Sequence, residues 1–356
     1  MTIEEDWAEL TGSLAGAGAR MSELTAGLGP VEAADGHRAL LRALNNQLGR
    51  LEVDRERPEL VPFNGWREKF FMDNPDFRYW VADVRHDRRY RISGTLGDAV
   101  FQSITAYATR GGPARSVGRI DSDSIGVDDD GRFTVVASSE PPESGDWLPL
   151  PEGADTIWVR HFHADVDRDR LGDATIEPLD EPHEPPTLDP EALGRRIRRL
   201  ARTMAAVPEV IAAATADERD RPNELRHWTE MAGGAAFTEP DITYVRGSWS
   251  LGPDEALAIE GDVVASRYWN VLLYSRFLNS LDQRHRSVSR TSATATIVDG
   301  RYRFVVAPRD PGGAGDWLDT EGRPFGLVVM RWLQPQGEVP LPRVHRCPIG
   351  DLERRP

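Results

Sequence analysis

Asp130-Gly131-Arg132-Phe133, Val135-Val136-Ala137, Pro141, Gly145-Asp146-Trp147-Leu148 and Val159-Arg160 form a series that the chain writes twice. The second version reads Asp299-Gly300-Arg301-Tyr302, Val305-Val306-Ala307, Pro311, Gly315-Asp316-Trp317-Leu318 and Met330-Arg331. Partners lie about 170 residues apart, close to half of the 356-residue chain. Self-similarity on this scale means that one structural unit has been built twice. It also sorts residues. Those present in both copies are most simply explained by the shared fold, so specific chemistry is expected where the copies differ.

Working outward, the match extends upstream: Pro75-Asp76 pairs with Pro240-Asp241, and Ile92-Ser93-Gly94 with Ile259-Glu260-Gly261. Around these segments lie short apolar runs punctuated by Gly, Pro and Asp, which read as strands. In the first copy they are Tyr79–Val84, Arg89–Ser93, Ser103–Ala108, Phe133–Ala137 and Thr156–Ala164. Residues 4–27 and 31–52 read as helices. Trp7, Leu10, Leu14, Met21 and Leu24 recur at helical spacing, Gly29-Pro30 breaks the pattern, and Leu40, Leu41, Leu44, Leu48 and Leu51 form a second stripe. The Pro- and acid-rich stretch 177–190 reads as a linker. A helix then begins near Asp189, with Leu193, Ile197, Leu200 and Met204 on one face and Pro208 expected to interrupt it. The expected organisation is N-terminal helices over 1–60, a first β block over 61–176, a linker with helices over 177–238 and a second β block over 239–356. Many short strands without intervening helices favour antiparallel sandwiches or jelly rolls over a βαβ sheet. The fold class is therefore mainly β with added helices: two duplicated sandwich or jelly-roll blocks, each preceded by helices.

Two stretches of the second block, Trp269-Asn270-Val271-Leu272-Leu273-Tyr274 and the run from Asp316-Trp317-Leu318 to Met330-Arg331-Trp332, resemble the bacterial domain of unknown function numbered 1214. The resemblance is clearest over 240–345, with a weaker duplicate over 75–165. It implies a jelly-roll-like β architecture. It supplies no catalytic residues, and Asp146 and Asp316 stand where many relatives carry Asn.

Composition narrows the class of function. A net charge of −15 argues against a duplex nucleic-acid binder, which needs a cationic footprint. No apolar run reaches the roughly 18 residues needed to cross a bilayer, so no membrane partner is expected. The acidic start Met1–Asp6 does not read as a secretory signal, and the lone Cys347 has no internal disulfide partner. Together these predict a cytoplasmic protein. Lys69, the single lysine and the one candidate for a Schiff base, reads as a surface lysine with a packed stem.

Candidate chemistry falls into several groups. His161 and His163 share one face of a strand, as two ligands of one metal can, and the second copy has Trp332 and Gln334 there. A third ligand is not evident; Asp165, His86, Glu177 and His183 are candidates by composition alone. Asp121-Ser122-Asp123-Ser124 offers paired carboxylates for acid–base work, with Arg290-Thr291-Ser292-Ala293 as its partner region, although same-face acids more often solvate an edge strand. Phe70 to Trp80 packs aromatics and the carboxylates Asp73 and Asp76 around a proline, as sugar-binding clefts do and as packed domain junctions also do. The Gly-Asp-Trp-Leu turns occur in both copies and are expected to be scaffold, their carboxylates accepting backbone N–H groups.

Two functional readings follow. In the first, the protein is a hydrolase or lyase acting on a small polar or carbohydrate-like substrate in a cleft between the β blocks. Asp73, Asp76, Asp121, His161 and His163 would be catalytic, and Tyr79, Trp80, Arg119, Tyr268 and Asn270 would bind substrate. In the second, it is a non-catalytic ligand-binding or assembly protein. The expected partners are a small molecule and a further copy of the chain. No organic cofactor is expected, and a metal at His161 and His163 is the one cofactor left open.

Overall fold

The computed structural model describes residues 2–51, 55–110, 113–180, 187–228 and 237–352. His183 and the middle of the 177–190 stretch lie outside the described residues. Two compact units are present: residues 1–26, 37–69 and 75–208 form the first, and residues 27–36, 70–74 and 209–356 the second.

Helix α1 (Ile3–Leu24) starts where the sequence supplies a capping box: the Thr2 hydroxyl accepts the Glu5 N–H while the Glu5 carboxylate accepts that of Thr2. Helix α2 (Pro30–Leu48) begins at the predicted proline. The stripes read from sequence are only partly buried. Leu10, Met21 and Leu40 are buried, whereas Trp7 and Leu41 are 60% and 66% exposed. Both belong to helical spacing but fall at the edge of the apolar face, where a side chain turns outward.

The first unit is a β-sandwich. Its strands are β1 (Val61–Pro62), β2 (Phe77–Asp83), β3 (Tyr90–Gly97), β4 (Phe101–Ala108), β5 (Arg115–Asp121), β6 (Arg132–Ser138), β7 (Asp146–Pro149), β8 (Thr156–Phe162) and β9 (Leu171–Pro178). One sheet runs β1-β2-β8-β4-β5 and the other β7-β6-β3-β9. Alternate residues face inward, as a two-sheet core demands. Ile157 and Val159 of β8, with Ile104 and Ala106 of β4, meet Ile92 of β3 and Val135 of β6 in one buried cluster. Strands β5 and β9 were not read from the sequence. Arg115–Asp121 lacks a run of apolar residues, and β9 reaches into what had been read as the start of the linker.

Helix α3 (Pro190–Ala214) runs through Pro208 without ending there, contrary to expectation. Proline removes one N–H bond and crowds the preceding turn, but Val207 and Ile211, both buried, hold the helix across that gap. After α4 (Ala216–Asp220) come β10 (Leu225–Trp228), β11 (Ile242–Ser250), β12 (Glu255–Asp262), β13 (Tyr268–Ser275), β14 (Ser289–Thr291), β15 (Ile297–Val298), β16 (Arg301–Ala307), β17 (Asp316–Asp319), β18 (Phe325–Leu333) and β19 (Arg343–Pro348). The sheet orders are β10-β11-β18-β13-β14 and β15-β16-β12-β19, with β17 also on β16. The fold is mainly β and duplicated, and each block carries one parallel pair, β6 with β7 and β16 with β17, in otherwise antiparallel sheets.

The strand registers correct two details of the internal match. Val135 and Phe304 both face the Gly-Asp-Trp turn, opposite Asp146 and Asp316, so Val135 corresponds to Phe304 and not to Val305. Likewise Ser103 opposes Asp121 where Asn270 opposes Thr291, so Asp121 corresponds to Thr291 and not to Arg290. A one-residue slip exchanges the two faces of a strand, so these corrections decide which side chains share a core.

Candidate functional site

Much of what the copies share is structural. Asp146 accepts the Gly126 N–H at 2.7 Å and Asp316 the Thr296 N–H at 2.6 Å, each from a residue 20 positions upstream. The indoles beside them donate to the next strand, Trp147 to Ser138 O and Trp317 to Ala307 O. Arg160 donates to the Tyr107 hydroxyl at 2.9 Å, and Arg331 to Tyr274 at 2.7 Å. These pairs occupy equivalent registers of β8/β4 and β18/β13, where Tyr79 and Tyr244 face the two arginines. Tyr79, a predicted substrate contact, therefore sits in a duplicated Arg–Tyr cluster.

The predicted carboxylates are spread over both units. Asp73 belongs to the second unit, is buried, and accepts both the N–H and the hydroxyl of Ser280, at 2.9 and 2.6 Å. Asp76 belongs to the first, is buried, and its carbonyl accepts the His163 N–H at 3.0 Å. Asp121 ends β5; its carboxylate accepts the Asp123 N–H and pairs with Arg119, so both residues shape that turn. Tyr268 and Asn270 are fully buried in β13, with the Asn270 amide directed to Asn74 at 3.4 Å. Lys69 is buried, not at the surface. A lysine is fully buried only where its charge is met, and this one is engaged.

His161 lies elsewhere, between the sheets of the first unit. Its Cα partners are Arg78 on β2 and Gln102 on β4, so the three side chains form one row across the inner face. The imidazole meets Trp80 edge-on at 4.9 Å and Phe133 of the opposite sheet at 6.0 Å. Behind it, β9 passes at Gly172, where a Cβ would come within 2.7 Å of His161 Nδ1 and 2.2 Å of the Thr95 carbonyl. Only glycine fits there.

This row is polar and unsatisfied. Among the described residues, both ring nitrogens of His161 and both amide atoms of Gln102 are buried without a hydrogen-bond partner, as are Arg78 Nε and His163 Nε2. Burial first, and the neighbouring His163 with it, push the His161 pKa down to about 3. Burial also lowers the His163 pKa, against the opposing pull of Asp169, whose carboxylate lies 3.2 Å from Nδ1. Burial alone lowers that of Arg78. At neutral pH both imidazoles are therefore uncharged, and Arg78 carries the formal charge of the row.

The second unit shows what the same positions look like when nothing is asked of them but packing. Thr243, Trp332 and Trp269 replace Arg78, His161 and Gln102. Trp269 stacks toward Tyr302 and Phe304 at 6.0 and 6.2 Å, and both tryptophans are buried. The scaffold thus closes perfectly well with aromatics. Reading the sequence singled out His161, His163 and Trp80; it missed Gln102 and Arg78, although the Gln102/Trp269 difference was a usable signal. Among the described residues no group of three or more His, Cys, Asp or Glu is arranged to hold a metal.

A duplicated β-sandwich, with a polar row in the apolar interior of one copy and aromatics at the same positions of the other, defines a two-domain β protein of the jelly-roll type. Two of its segments, residues 81–165 and 252–337, match the family described as protein of unknown function (DUF1214), one in each sandwich. The chain is similar to an uncharacterized protein from Burkholderia cenocepacia, with 28% identity over 98% of each chain and a TM-score of 0.90. It is also similar to the VPA0106 protein from Vibrio parahaemolyticus, with 12% identity over 87% of this chain and 99% of that one and a TM-score of 0.51, a likeness of fold. A comparison with curated proteins returns no match.

Proposed function

We propose that the protein binds a small carboxylate-bearing molecule between the sheets of its first sandwich, and that the second sandwich is a closed copy of the same scaffold. The observation that carries this reading is the unsatisfied row Arg78–His161–Gln102, set against its apolar counterpart Thr243–Trp332–Trp269. Each buried polar group without a partner costs about 1–3 kcal/mol. Such a cost persists where function requires it. The ligand class follows from the charges. Arg78 is a half-buried guanidinium with no carboxylate bonded to it among the described residues, and Gln102 and neutral His161 add uncharged donors beside it. One carboxylate supplies the missing counter-charge and the acceptors together.

A second reading rests on one distance. Asp169 lies 3.2 Å from His163 Nδ1, which orients the ring and leaves Nε2 as a neutral base. In that reading the protein is a hydrolase or lyase acting on the bound small polar or carbohydrate-like molecule, with His163 as the base.

Native mass spectrometry of the untagged chain tests the binding reading, run intact and then denatured beside Gln102→Met and His161→Phe. A small organic adduct on the wild type that is lost from both variants supports it. An adduct kept by both variants overturns it, as does a bare wild type that gains none with millimolar acetate or lactate. His163→Gln separates the two readings: unchanged ligand affinity with lost turnover supports catalysis, and no turnover in the wild type removes it.

A further inference from the structure

The first unit also holds a cavity of about 460 Å³ that shares no residue with the inter-sheet row. Its size is that of an ordinary small-molecule site. Helix α3 lines it with Arg195, Arg196, Arg198, Arg199 and Arg202. The chain following α2 adds Arg50 and Arg55, and Arg110 follows β4. Asp83 is the one acidic residue among its lining residues. Eight guanidiniums gather here in a chain whose net charge is −15.

Among the described residues, the carboxylates around the cavity do not meet this charge. Asp83 is shared by three arginines, Arg50 at 2.8 Å, Arg199 at 3.8 Å and Arg110 at 4.0 Å, and Arg110 also reaches Asp155 at 3.7 Å. Asp6 takes Arg198, and Arg195 reaches Glu191 and Asp189 only at 3.5 and 3.8 Å, at the surface. Arg202 is exposed and pairs with no carboxylate among the described residues, and Arg55 Nε is buried without a partner. Arg199 stays about half exposed, yet loss of water lowers its pKa, with Asp83 opposing and Arg50 and Arg110 lowering it further. The spacing along α3 is directional. Arg195, Arg198, Arg199 and Arg202 fall on one face over roughly 10 Å of helix axis, so their charge is laid out as a line and not gathered at a point.

We propose that this cavity binds a small polyanion carrying two or more phosphate or carboxylate groups. Guanidiniums recognise such oxyanions through paired N–H donors, and several of them along a helix face match several groups along a ligand. A single-charge ligand would leave most of them unanswered, which separates this site from the one-arginine row between the sheets. It stands or falls independently of that row.

Isothermal titration of the full chain at about 0.15 M salt, where long-range attraction is screened within about 8 Å, tests the proposal with inorganic pyrophosphate, citrate and orthophosphate. Arg195→Gln and Arg202→Gln, singly and together, remove exposed guanidiniums: among the described residues Arg202 pairs with no carboxylate, and Arg195 pairs only with the exposed Asp189 and Glu191. Arg91→Gln on β3, which breaks an exposed pair with Glu177 of β9, serves as the control. At least one of pyrophosphate and citrate should bind about 10-fold or more tighter than orthophosphate, and which one does so tells phosphate from carboxylate chemistry. The double variant should weaken it about 10-fold or more with an unchanged melting temperature, since one charge-assisted hydrogen bond alone is worth about that factor. His161→Phe should leave it unchanged. Equal binding of all three anions, no binding below millimolar, or an equal loss in Arg91→Gln would show diffuse charge and overturn the proposal.

Discussion

Replacing His161 by phenylalanine should remove a specific part of the protein's acid sensitivity. The folded ring is neutral, with its pKa pushed down to about 3 by burial, whereas in the unfolded chain it titrates near its ordinary value of about 6.5. Between those values the unfolded state binds the extra proton. Stability from this residue is therefore complete above about pH 6.5 and falls as pH drops toward 3. The slope is about 1.4 kcal/mol per pH unit once the unfolded ring is protonated, or about 2 kcal/mol between pH 6.5 and 5. His163, whose folded pKa is also lowered, acts in the same direction but is present in both proteins and cancels in the difference. Urea unfolding of wild type and His161→Phe at pH 7, 6 and 5 gives the quantity directly. The variant's stability relative to wild type should rise by about 2 kcal/mol over that range, whatever offset the larger ring sets at pH 7. A difference that stays flat with pH would mean that the native ring takes up a proton freely, and would refute its burial in an unpaired row.

Gln102→Met is nearly isosteric and deletes two orphaned buried atoms, so the ligand-free protein should gain about 1–2 kcal/mol; scanning calorimetry should show a melting temperature higher by several degrees, and a loss would contradict the row's unsatisfied state. Tyr107→Phe and Tyr274→Phe each take an acceptor from a buried arginine and should cost similar amounts, about 1.5–3 kcal/mol, in denaturant titrations. Unequal costs would argue that one of the pairs is more than scaffold. Asp83→Asn leaves Arg50 and Arg199 with no paired carboxylate among the described residues, while Arg110 keeps Asp155 at 3.7 Å; it should destabilise the first unit by about 1–3 kcal/mol while strengthening pyrophosphate or citrate binding, readable by urea unfolding and titration of the same sample.

The duplicated fold was legible because its signals are local and repeated. Gly-Asp-Trp-Leu recurs with a carboxylate that accepts a backbone N–H from 20 positions upstream, and the Val- and Leu-rich strands announce themselves by composition. The register was less legible. Val-Val-Ala occurs in both copies but one residue apart relative to the strands it pairs with, and only hydrogen bonding shows it. Pro208 misled for a physical reason: flanking buried residues outweigh one lost N–H bond. The polar row was half visible. His161 stood out because its partner is Trp332, but Gln102 and Arg78 are joined to it only by strand pairing across 59 and 83 positions of chain. The arginines of α3 were not singled out in the sequence, where the apolar face of the helix drew the reading. Their convergence with Arg50 and Arg110 needed the tertiary fold.

The most direct test is a crystal structure of the wild-type protein at a resolution that separates water from organic density between the sheets at His161. A small molecule whose carboxylate contacts Arg78, Gln102 and His161, with continuous aromatic packing at Trp269 and Trp332 in the second sandwich, is the predicted result. A row satisfied wholly by ordered waters or by its own side chains, unchanged after soaking in lactate, would contradict it.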